Sequence, residues 1–234
     1  GFVDSIAGGG GLLMMPSLLA AGLPPHFALG TNKLQSSWGT MMACRTYWKG
    51  GLVDIRGNFP LVMIAFTGAV CGSFAVQQIS AQALDYIVPV CLISVVIYTF
   101  FSRRMTDDDA HHILTRRGYA PVAGGIGFYD GFFGPGTGQF FTASLVALRG
   151  YGLTRAAAHC KLFNLTTNIA ALMTFALGGK VLWLLGLCMA VGSMTGGYLG
   201  SRFAMKHGAR IIRPLMIAAS LGLTINLVWS WFSF

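Results

Sequence analysis

The chain is a succession of apolar runs about 20 residues long, with most of its basic residues at the ends of those runs. One run reads LVMIAFTGAVCGSFAV over 61–76. A soluble core can hold one run of this kind, but not six or more in 234 residues. Only 10% of the residues are charged, against about 25% in soluble domains. The sequence therefore predicts an all-α polytopic membrane protein that contacts the lipid bilayer.

The formal net charge of +9 does not indicate nucleic-acid binding. The basic residues flank apolar runs, where the positive-inside rule places them, instead of forming one polar patch. The cysteines lie inside apolar stretches without CxxC spacing, so we interpret them as small packing residues. We expect no cofactor and no metal. The alternative is a metal site at His111 and His112, in a stretch that is more typical of a solvated loop.

The second half of the chain repeats the first. The repeat pairs Asp4 with Asp130 and, after a two-residue offset, Lys33 with Lys161. Matched stretches are GFVD (1–4) with GFYD (127–130), GGGG (8–11) with GPGTG (134–138), ALGTNKL (28–34) with AAAHCKL (156–162), and Gly50-Gly51 with Gly178-Gly179. One register holds over much of each half, so we interpret the chain as two related structural units.

Each half reads as four apolar segments. They cover about 1–21, 28–48, 58–79 and 84–102 in the first half, and about 119–149, 156–177, 181–201 and 211–233 in the second. We therefore predict an N-terminal repeat over 1–101, a cytoplasmic linker over 102–118 and a C-terminal repeat over 119–234, together one membrane domain. TRRGYAPVAGGI precedes the second repeat and has no counterpart in the first, so we expect a short N-terminal stretch to be missing from this sequence.

The first segment of each repeat has a glycine-rich middle, and glycine costs about 1 kcal/mol relative to alanine inside a helix. In the second repeat this segment runs about 30 residues, too long for one crossing of roughly 20. Two interpretations remain at this point. The segment is either a broken helix that crosses once, or two half-helices that enter and leave on the same side.

The distribution of basic residues favours the second interpretation. With re-entrant first segments each half crosses three times, the halves are inverted, and only Lys180 lies outside. The cytoplasmic basic residues are then Arg45, Lys49, Arg56, Arg103, Arg104, Arg116, Arg117, Arg149, Arg155, Arg202, Lys206, Arg210 and Arg213. If all four segments cross, this bias nearly vanishes. The positive-inside rule thus predicts two inverted repeats, each with a glycine-broken, re-entrant segment plus three transmembrane helices.

Inverted repeats with discontinuous helices are a recurring plan of secondary transporters, with the substrate near the bilayer midplane. Four stretches, GFVDSIAGGGGLLMMPSLLAAGLPP (1–25), GTNKLQSSWG (30–39), GFYDGFFGPGTGQFF (127–141) and KLFNLTTN (161–168), give the chain a resemblance to the sulfite exporter TauE/SafE family, also called the toluene sulfonate uptake permeases. The resemblance covers essentially the whole chain. It implies a multi-pass permease of the bacterial inner membrane for sulfite, organosulfonates or related sulfur-containing anions, without fixing which anion or which direction.

Lys33 and Lys161 are the first candidates for a substrate site. A lysine inside a membrane segment costs at least about 2.5 kcal/mol on insertion scales and marks a functional site by default. Matched lysines in two repeats suit an oxyanion near the pseudo-twofold axis. The alternative is that each lysine snorkels to the interface or pairs with Asp4 or Asp130.

The remaining candidates are backbone and neutral groups. The glycine clusters allow backbone N–H groups to face a ligand, and each opens a helix whose N-terminus attracts anions. The asparagines beside the lysines offer neutral hydrogen bonds, as do Ser36, Ser37 and Thr40, although interhelical hydrogen bonding explains any one of them equally well. The predicted substrate-binding residues are Lys33, Lys161, Asn32, Asn164, Asn168, Gly9, Gly10, Gly11, Gly136, Thr137 and Gly138, with Asp4 and Asp130 as candidates for proton coupling.

We therefore expect a permease that moves a small sulfur-containing anion by alternating access. The sequence leaves an anion channel open as an alternative. It contains no HExxH, no GxSxG and no paired catalytic carboxylates, so an enzyme embedded in the membrane is the least favoured hypothesis. The oligomeric state is open, a homo-oligomer included.

Overall fold

A computed structural model describes residues 1–84, 86, 87, 90, 113–212, 214, 215 and 218 of the chain. The described part is helical and contains no β-strand. Its helices are α1 (Phe2–Ala7), α2 (Gly10–Ala20), α3 (Pro25–Lys49), α4 (Ile55–Gln77), α5 (Arg116–Phe132), α6 (Thr137–Arg149), α7 (Leu153–Leu177) and α8 (Trp183–His207). The predicted all-helical class is confirmed for these residues.

The helices follow the predicted apolar segments, with ends that differ by a few residues. The predicted fourth segments, 84–102 and 211–233, lie mostly outside the described residues. So does most of the predicted linker, including His111 and His112. The proposed metal alternative at these two histidines stays a prediction.

Three described helices, α4, α7 and α8, are long and apolar enough to cross a membrane by length and composition. Helix α3 has the same 25-residue length as α7 and α8 but carries more polar side chains. Those side chains are enclosed by protein, because Asn32, Lys33, Gln35, Ser37 and Thr40 are all buried. The polar side chains of α3 are therefore enclosed inside the protein.

Both glycine-rich segments are broken helices, as the sequence predicts. The first break separates α1 from α2 at Gly8, whose φ is 69°. The second break separates α5 from α6, with φ values of 95° at Gly134 and 82° at Gly136. This left-handed backbone is accessible to glycine without the penalty that other residues incur. Gly8 and Gly134 are matched positions of the repeat, so one local cause breaks both segments.

Helices α5 and α6 form a hairpin whose two ends lie together. Leu114 N donates to Leu148 O at 2.9 Å, and Arg149 Nη1 donates to Leu114 O at 2.7 Å. The chain just before α5 is thus bonded to the chain at the end of α6. The segment turns back at its glycine break instead of continuing in one direction.

The long helices run in two directions. Along α3 and α8, Gly30 faces Lys180, Gly39 faces Ser193 and Gly50 faces Met205, so these two helices run the same way.

Helices α4 and α7 form the matching pair in the other direction. Asp54 N donates to His159 Nε2 at 3.1 Å near their starts, and Thr174 Oγ1 donates to Ser73 Oγ at 2.6 Å near their ends. His26, at the start of α3, contacts Val76 O at the end of α4 at 3.2 Å. Helices α3 and α7, which are matched in the repeat, therefore run in opposite directions.

Small residues bring the helices of the two repeats into backbone contact. Gly68 and Gly72 of α4 face the backbone of α5, where Gly127 and Gly131 face Ala65 and Ala69 in return. Gly196 and Gly200 of α8, which the offset of the repeat pairs with Gly68 and Gly72, face α1 in the same way. Close approach of this kind is how membrane helices gain contact area. These glycines hold the helix breaks of each repeat against the other repeat.

Candidate functional site

The two helix breaks meet in the interior. A Cβ atom added to Gly8 would lie 2.5 Å from the carbonyl carbon of Gly138, and one added to Gly11 would lie 3.2 Å from Cα of Pro135. Backbone therefore lies directly against backbone where the first repeat crosses the second. The end of α1 and the start of α2 therefore pack closely against the end of α5 and the start of α6.

A polar cavity lies beside the crossing. Its free space for the centre of a water molecule is about 20 Å³, which is room for one or two water molecules. The walls come from both repeats and from α1, α2, α3, α5, α6 and α7. The lining residues are Asp4, Gly8, Gly11, Asn32, Lys33, Ser36, Asp130, Gly134, Thr137, Gly138, Asn164 and Asn168.

The first buried ion pair joins Lys33 of α3 to Asp130 of α5. Lys33 Nζ donates to Asp130 Oδ1 at 2.6 Å and to Asn168 Oδ1 at 3.2 Å. Thr167 Oγ1 donates to the other carboxylate oxygen of Asp130. The side chains of Lys33 and Asp130 are only 2% and 3% exposed, so both charges are compensated inside protein.

The second ion pair joins Lys161 of α7 to Asp4 of α1. Lys161 Nζ donates to Asp4 Oδ2 at 3.2 Å, and Gly10 N donates to Asp4 Oδ1 at 3.2 Å. Lys161 is enclosed like Lys33, but the side chain of Asp4 is 22% exposed. Asp4 lines the cavity, whereas Lys161 lies behind it.

Each ion pair links one repeat to the other, because the lysine of one repeat bonds the aspartate of its partner. This is the pairing that the sequence offered as the alternative to lysines free to meet an anion. Two lysines and two aspartates leave no net charge among these groups. A buried charge needs such a partner, because an isolated one costs several kcal/mol.

The cavity also holds hydrogen-bond donors that are not committed elsewhere. Asn32 Oδ1 accepts from Gln35 Nε2 at 2.9 Å, and Asn168 Oδ1 accepts from Lys33. Each bond fixes the amide so that its NH₂ group is the free end. Within the described part of the chain neither NH₂ group has an acceptor, and Asn164 Oδ1 is buried without a hydrogen-bond partner.

The starts of α2 and α6 add backbone donors. Their N-cap residues are Gly9 and Gly136, and neither supplies a side-chain hydrogen bond to the helix. Gly11 and Gly138, at the second position of each helix, line the cavity. Helix N-termini carry partial positive charge and attract anions. At the start of α2 Gly10 N already donates to the Asp4 carboxylate, so the start of α6 is the better place for an added anion.

Most of the predicted site residues come together in this cavity. Those that line it are Lys33, Asn32, Asn164, Asn168, Gly11, Thr137, Gly138, Asp4 and Asp130. Four others, Lys161, Gly9, Gly10 and Gly136, do not line it. Lys161 and Gly10 bond Asp4 from behind, and Gly9 and Gly136 are the N-caps of α2 and α6.

The sequence prediction left out three lining residues and one supporting residue. Gly8 and Gly134 line the cavity, and their matched repeat positions were a usable signal. Ser36 lines it too, although the sequence placed it only beside the lysines. Thr167 bonds Asp130. Its position three residues after Asn164 put it on the same helical face, which was the available signal.

The similarity to known proteins extends over nearly the whole chain. Residues 1–227 match the model of the family described as sulfite exporter TauE/SafE. No solved structure matches the chain significantly.

Three relatives illustrate the similarity. A "Probable membrane transporter protein ORF9" from Sinorhizobium sp is 41% identical over 229 residues, covering 97% of this chain and 88% of that protein. A "Probable membrane transporter protein YfcA" from Escherichia coli (strain K12) is 39% identical over 230 residues, covering 98% and 86%. A "Probable membrane transporter protein" from Haemophilus influenzae is 37% identical over 236 residues, covering 100% and 92%. The chain therefore belongs to the sulfite exporter TauE/SafE family.

Proposed function

We propose that this membrane transporter carries a small sulfur-containing anion, such as sulfite or an organosulfonate, by alternating access. The family and the names of its relatives support the transporter class. The anion, the alternating access and the roles of individual residues are our proposals. The observation that carries them is the cavity at the crossing of the helix breaks, with its uncommitted amide donors and the start of α6 in its wall.

The donor set suits an oxyanion that accepts hydrogen bonds on several oxygens. The amide NH₂ groups of Asn32 and Asn168, the Ser36 hydroxyl and the start of α6 surround one small space. Lys33 holds Asn168 in its donor orientation through the bond to Oδ1. Neutral donors of this kind bind an anion without the desolvation cost of an unpaired buried cation. Lys33 and Lys161 contribute long-range positive charge that Asp130 and Asp4 moderate.

We also propose that the repeats are inverted and that α1–α2 and α5–α6 are re-entrant, in the bacterial inner membrane. The opposite directions of α3 and α7 support inversion. The bond between the ends of the α5–α6 hairpin supports re-entry. Arg116, at the start of α5, pairs with Asp54 at 3.8 Å, and Arg56 follows Asp54 by two residues. This contact supports a common side of the membrane for the basic residues of both repeats. That side is cytoplasmic by the positive-inside rule.

Cysteine accessibility tests this topology. Single cysteines at positions 24 and 149, in a variant lacking the native cysteines, are labelled in intact cells with a membrane-impermeant maleimide. We expect labelling from outside at position 24 only. A control cysteine beside Lys180 is expected to behave like position 24. Labelling of positions 24 and 149 from the same side contradicts the proposal.

Flux into proteoliposomes tests the function. Radiolabelled sulfite or methanesulfonate is supplied with a panel of competing anions to wild type, to the Lys33→Ala/Lys161→Ala variant and to a Lys180→Ala control. We expect saturable flux that sulfur oxyanions compete, loss of flux in the double variant and normal flux in the control. Undiminished flux in the double variant would remove the lysines from the site. Absence of flux for every anion contradicts the proposed function.

Counterflow separates a carrier from the channel alternative. A carrier preloaded with unlabelled anion accumulates labelled anion transiently above equilibrium, whereas a channel only equilibrates it. We expect an overshoot. Flux that does not saturate and shows no overshoot would favour a channel through the same cavity.

A further inference from the structure

The cavity poses a charge problem for any anion. The ionic groups that meet there, Lys33 with Asp130 and Lys161 with Asp4, sum to zero. A monovalent anion would bring the sum to −1 in a space from which bulk water is largely excluded. Such a charge is costly unless another group changes its own charge. In a site that contains two carboxylates, the simplest compensation is one proton on a carboxylate.

The two carboxylates differ in how freely they can accept that proton. Asp130 is closed in, since Lys33 donates to one oxygen at 2.6 Å and Thr167 donates to the other. Both donors to Asp4, Lys161 and Gly10, stand at 3.2 Å. The Asp4 side chain is 22% exposed against 3% for Asp130. Both aspartates line the cavity, but Asp4 has the longer hydrogen bonds and the more exposed carboxylate.

Resting on the transport function proposed above, we propose that Asp4 takes up one proton with each monovalent anion, which makes the carrier an electroneutral proton–anion symporter. The proton comes from the solution on the side from which the anion enters and forms an O–H bond on the Asp4 carboxylate. Lys161 keeps its own proton and, no longer neutralised, presents its positive charge to the anion. On the other side the anion leaves and Asp4 releases the proton, so the pair with Lys161 forms again.

Lys161 is the group whose charge is no longer neutralised when Asp4 is protonated. The charged and titratable side chains around Asp4, from α3, α5 and α7, are Lys161, Lys33, Asp130, Tyr47 and Cys160. Lys33 and Asp130 bond each other. The hydroxyl of Tyr47 donates to Ser5 O at 3.0 Å, and Cys160 Sγ donates to Gly138 O at 3.2 Å. Lys161 is the cationic side chain in direct contact with Asp4.

The first test uses the wild-type chain in proteoliposomes with methanesulfonate, a strong-acid anion that does not cross lipid as a neutral acid. An outside solution one pH unit more acidic should drive about tenfold accumulation, because one unit is a tenfold gradient for one proton. A membrane potential set with valinomycin and potassium should not change that ratio. An internal pH dye should report acidification as the anion enters. Accumulation that follows the potential, or that ignores the pH gradient, overturns the proposal.

The second test uses Asp4→Asn, Asp4→Glu and a control, Asp54→Asn, at an acid whose side chain is 52% exposed at the start of α4. Asp4→Asn is expected to slow counterflow, and in the flux that remains the pH-driven accumulation should fall from about tenfold to about one. Asp4→Glu should restore coupling, and Asp54→Asn should match wild type. Tenfold accumulation in Asp4→Asn overturns the proposal.

The outcomes separate this inference from the function on which it rests. Wild-type counterflow without any response to the pH gradient overturns proton coupling and leaves the transporter function standing. Absence of counterflow for every anion overturns both. If Asp4→Asn does not fold, the wild-type measurements with the pH gradient and the potential decide proton coupling, and Asp4→Glu tests its assignment to Asp4.

Discussion

The two buried ion pairs occupy matched positions of the repeat but differ in hydrogen-bond length and in the exposure of the aspartate. Lys33 and Asp130 are enclosed, 2.6 Å apart, with Thr167 and Asn168 completing their hydrogen bonds. Lys161 is enclosed as well, but its partner Asp4 stands 3.2 Å away with a 22% exposed side chain. The repeat duplicates the charges, while the residues around them differ.

The difference lies in the residues one to two helical turns after each lysine. With the two-residue offset, Thr167 and Asn168 correspond to Gly39 and Thr40. Glycine offers no side-chain hydroxyl, so Asp4 receives a backbone N–H from Gly10 instead. We infer that the first pair fixes the two repeats together while the second is free to change its charge. Substitutions at both pairs test whether the two ion pairs have these different roles.

The largest effect is expected from removing one member of the tighter pair. Lys33→Ala leaves Asp130 as an uncompensated charge inside protein, and breaking a buried pair in this way costs about 3–5 kcal/mol. Lys161→Ala should cost less, because the side chain of Asp4 is more exposed than that of Asp130, 22% against 3%. Thermal unfolding in detergent, followed by the monodisperse fraction on size exclusion, ranks the two variants.

A paired substitution is the control for this ranking. Lys33→Met/Asp130→Leu removes both charges and should be more stable than Lys33→Ala alone, because an apolar pair needs no charge compensation. If Lys161→Ala is as destabilising as Lys33→Ala, the two pairs are equivalent and the comparison fails.

The sequence predicted much of this architecture because its strongest signals are local or duplicated. Apolar runs indicate helices in a bilayer, and clustered glycines indicate a break, since both follow from the properties of the residues themselves. The repeat then supplied long-range information that a single segment lacks. It brought Asp4, Lys33, Asp130 and Lys161 to notice as two matched sets before any contact was known.

The pairing between those sets could not be read from the sequence. A lysine near the midplane can face a ligand or an acid, and only the crossing of the breaks decides that Lys33 meets Asp130. Likewise, the orientation of the Asn168 amide depends on Lys33 Nζ, a residue 135 positions away. Composition and spacing identify such groups but do not say which atom each one bonds.

The glycine breaks offer a second comparison between the repeats. Gly8→Ala places a methyl group 2.5 Å from the backbone of Gly138, which cannot move independently, whereas Gly134→Ala meets a side-chain atom, Lys33 Nζ, at 2.7 Å. Both sites have positive φ, which alone costs an alanine about 1–2 kcal/mol. We expect Gly8→Ala to lower the unfolding temperature more. Equal losses would mean that backbone strain, not the contact of the breaks, sets the cost.

A smaller effect is expected from the hydroxyl that completes the tighter pair. Thr167→Val keeps the shape of the side chain but removes the donor to Asp130, and a hydrogen bond to a charged group contributes about 1.5–3 kcal/mol. Thr166→Val is the matched control, because Thr166 Oγ1 donates only to Leu162 O at 3.0 Å. Thermal unfolding of the two variants side by side checks the difference. Identical curves would mean that Thr167 does not hold Asp130.

The smallest effect on stability should accompany a clear effect on transport. Ser36 and Asn164 are matched positions of the repeat, and both line the cavity. Ser36→Ala or Asn164→Ala removes one neutral hydrogen-bonding side chain from the cavity wall without leaving a buried charge. The loss of a hydrogen bond worth about 1.4 kcal/mol should raise the anion concentration for half-maximal flux about tenfold.

Ser37→Ala is the control, because Ser37 Oγ donates to Lys33 O at 2.7 Å and does not line the cavity. Its half-saturation should stay at the wild-type value, since no group that faces the anion changes. If Ser36→Ala and Asn164→Ala also leave half-saturation unchanged, the neutral donors do not hold the anion. The lysines would then have to bind it directly, each by releasing its aspartate, and the two pairs would differ in stability but not in role.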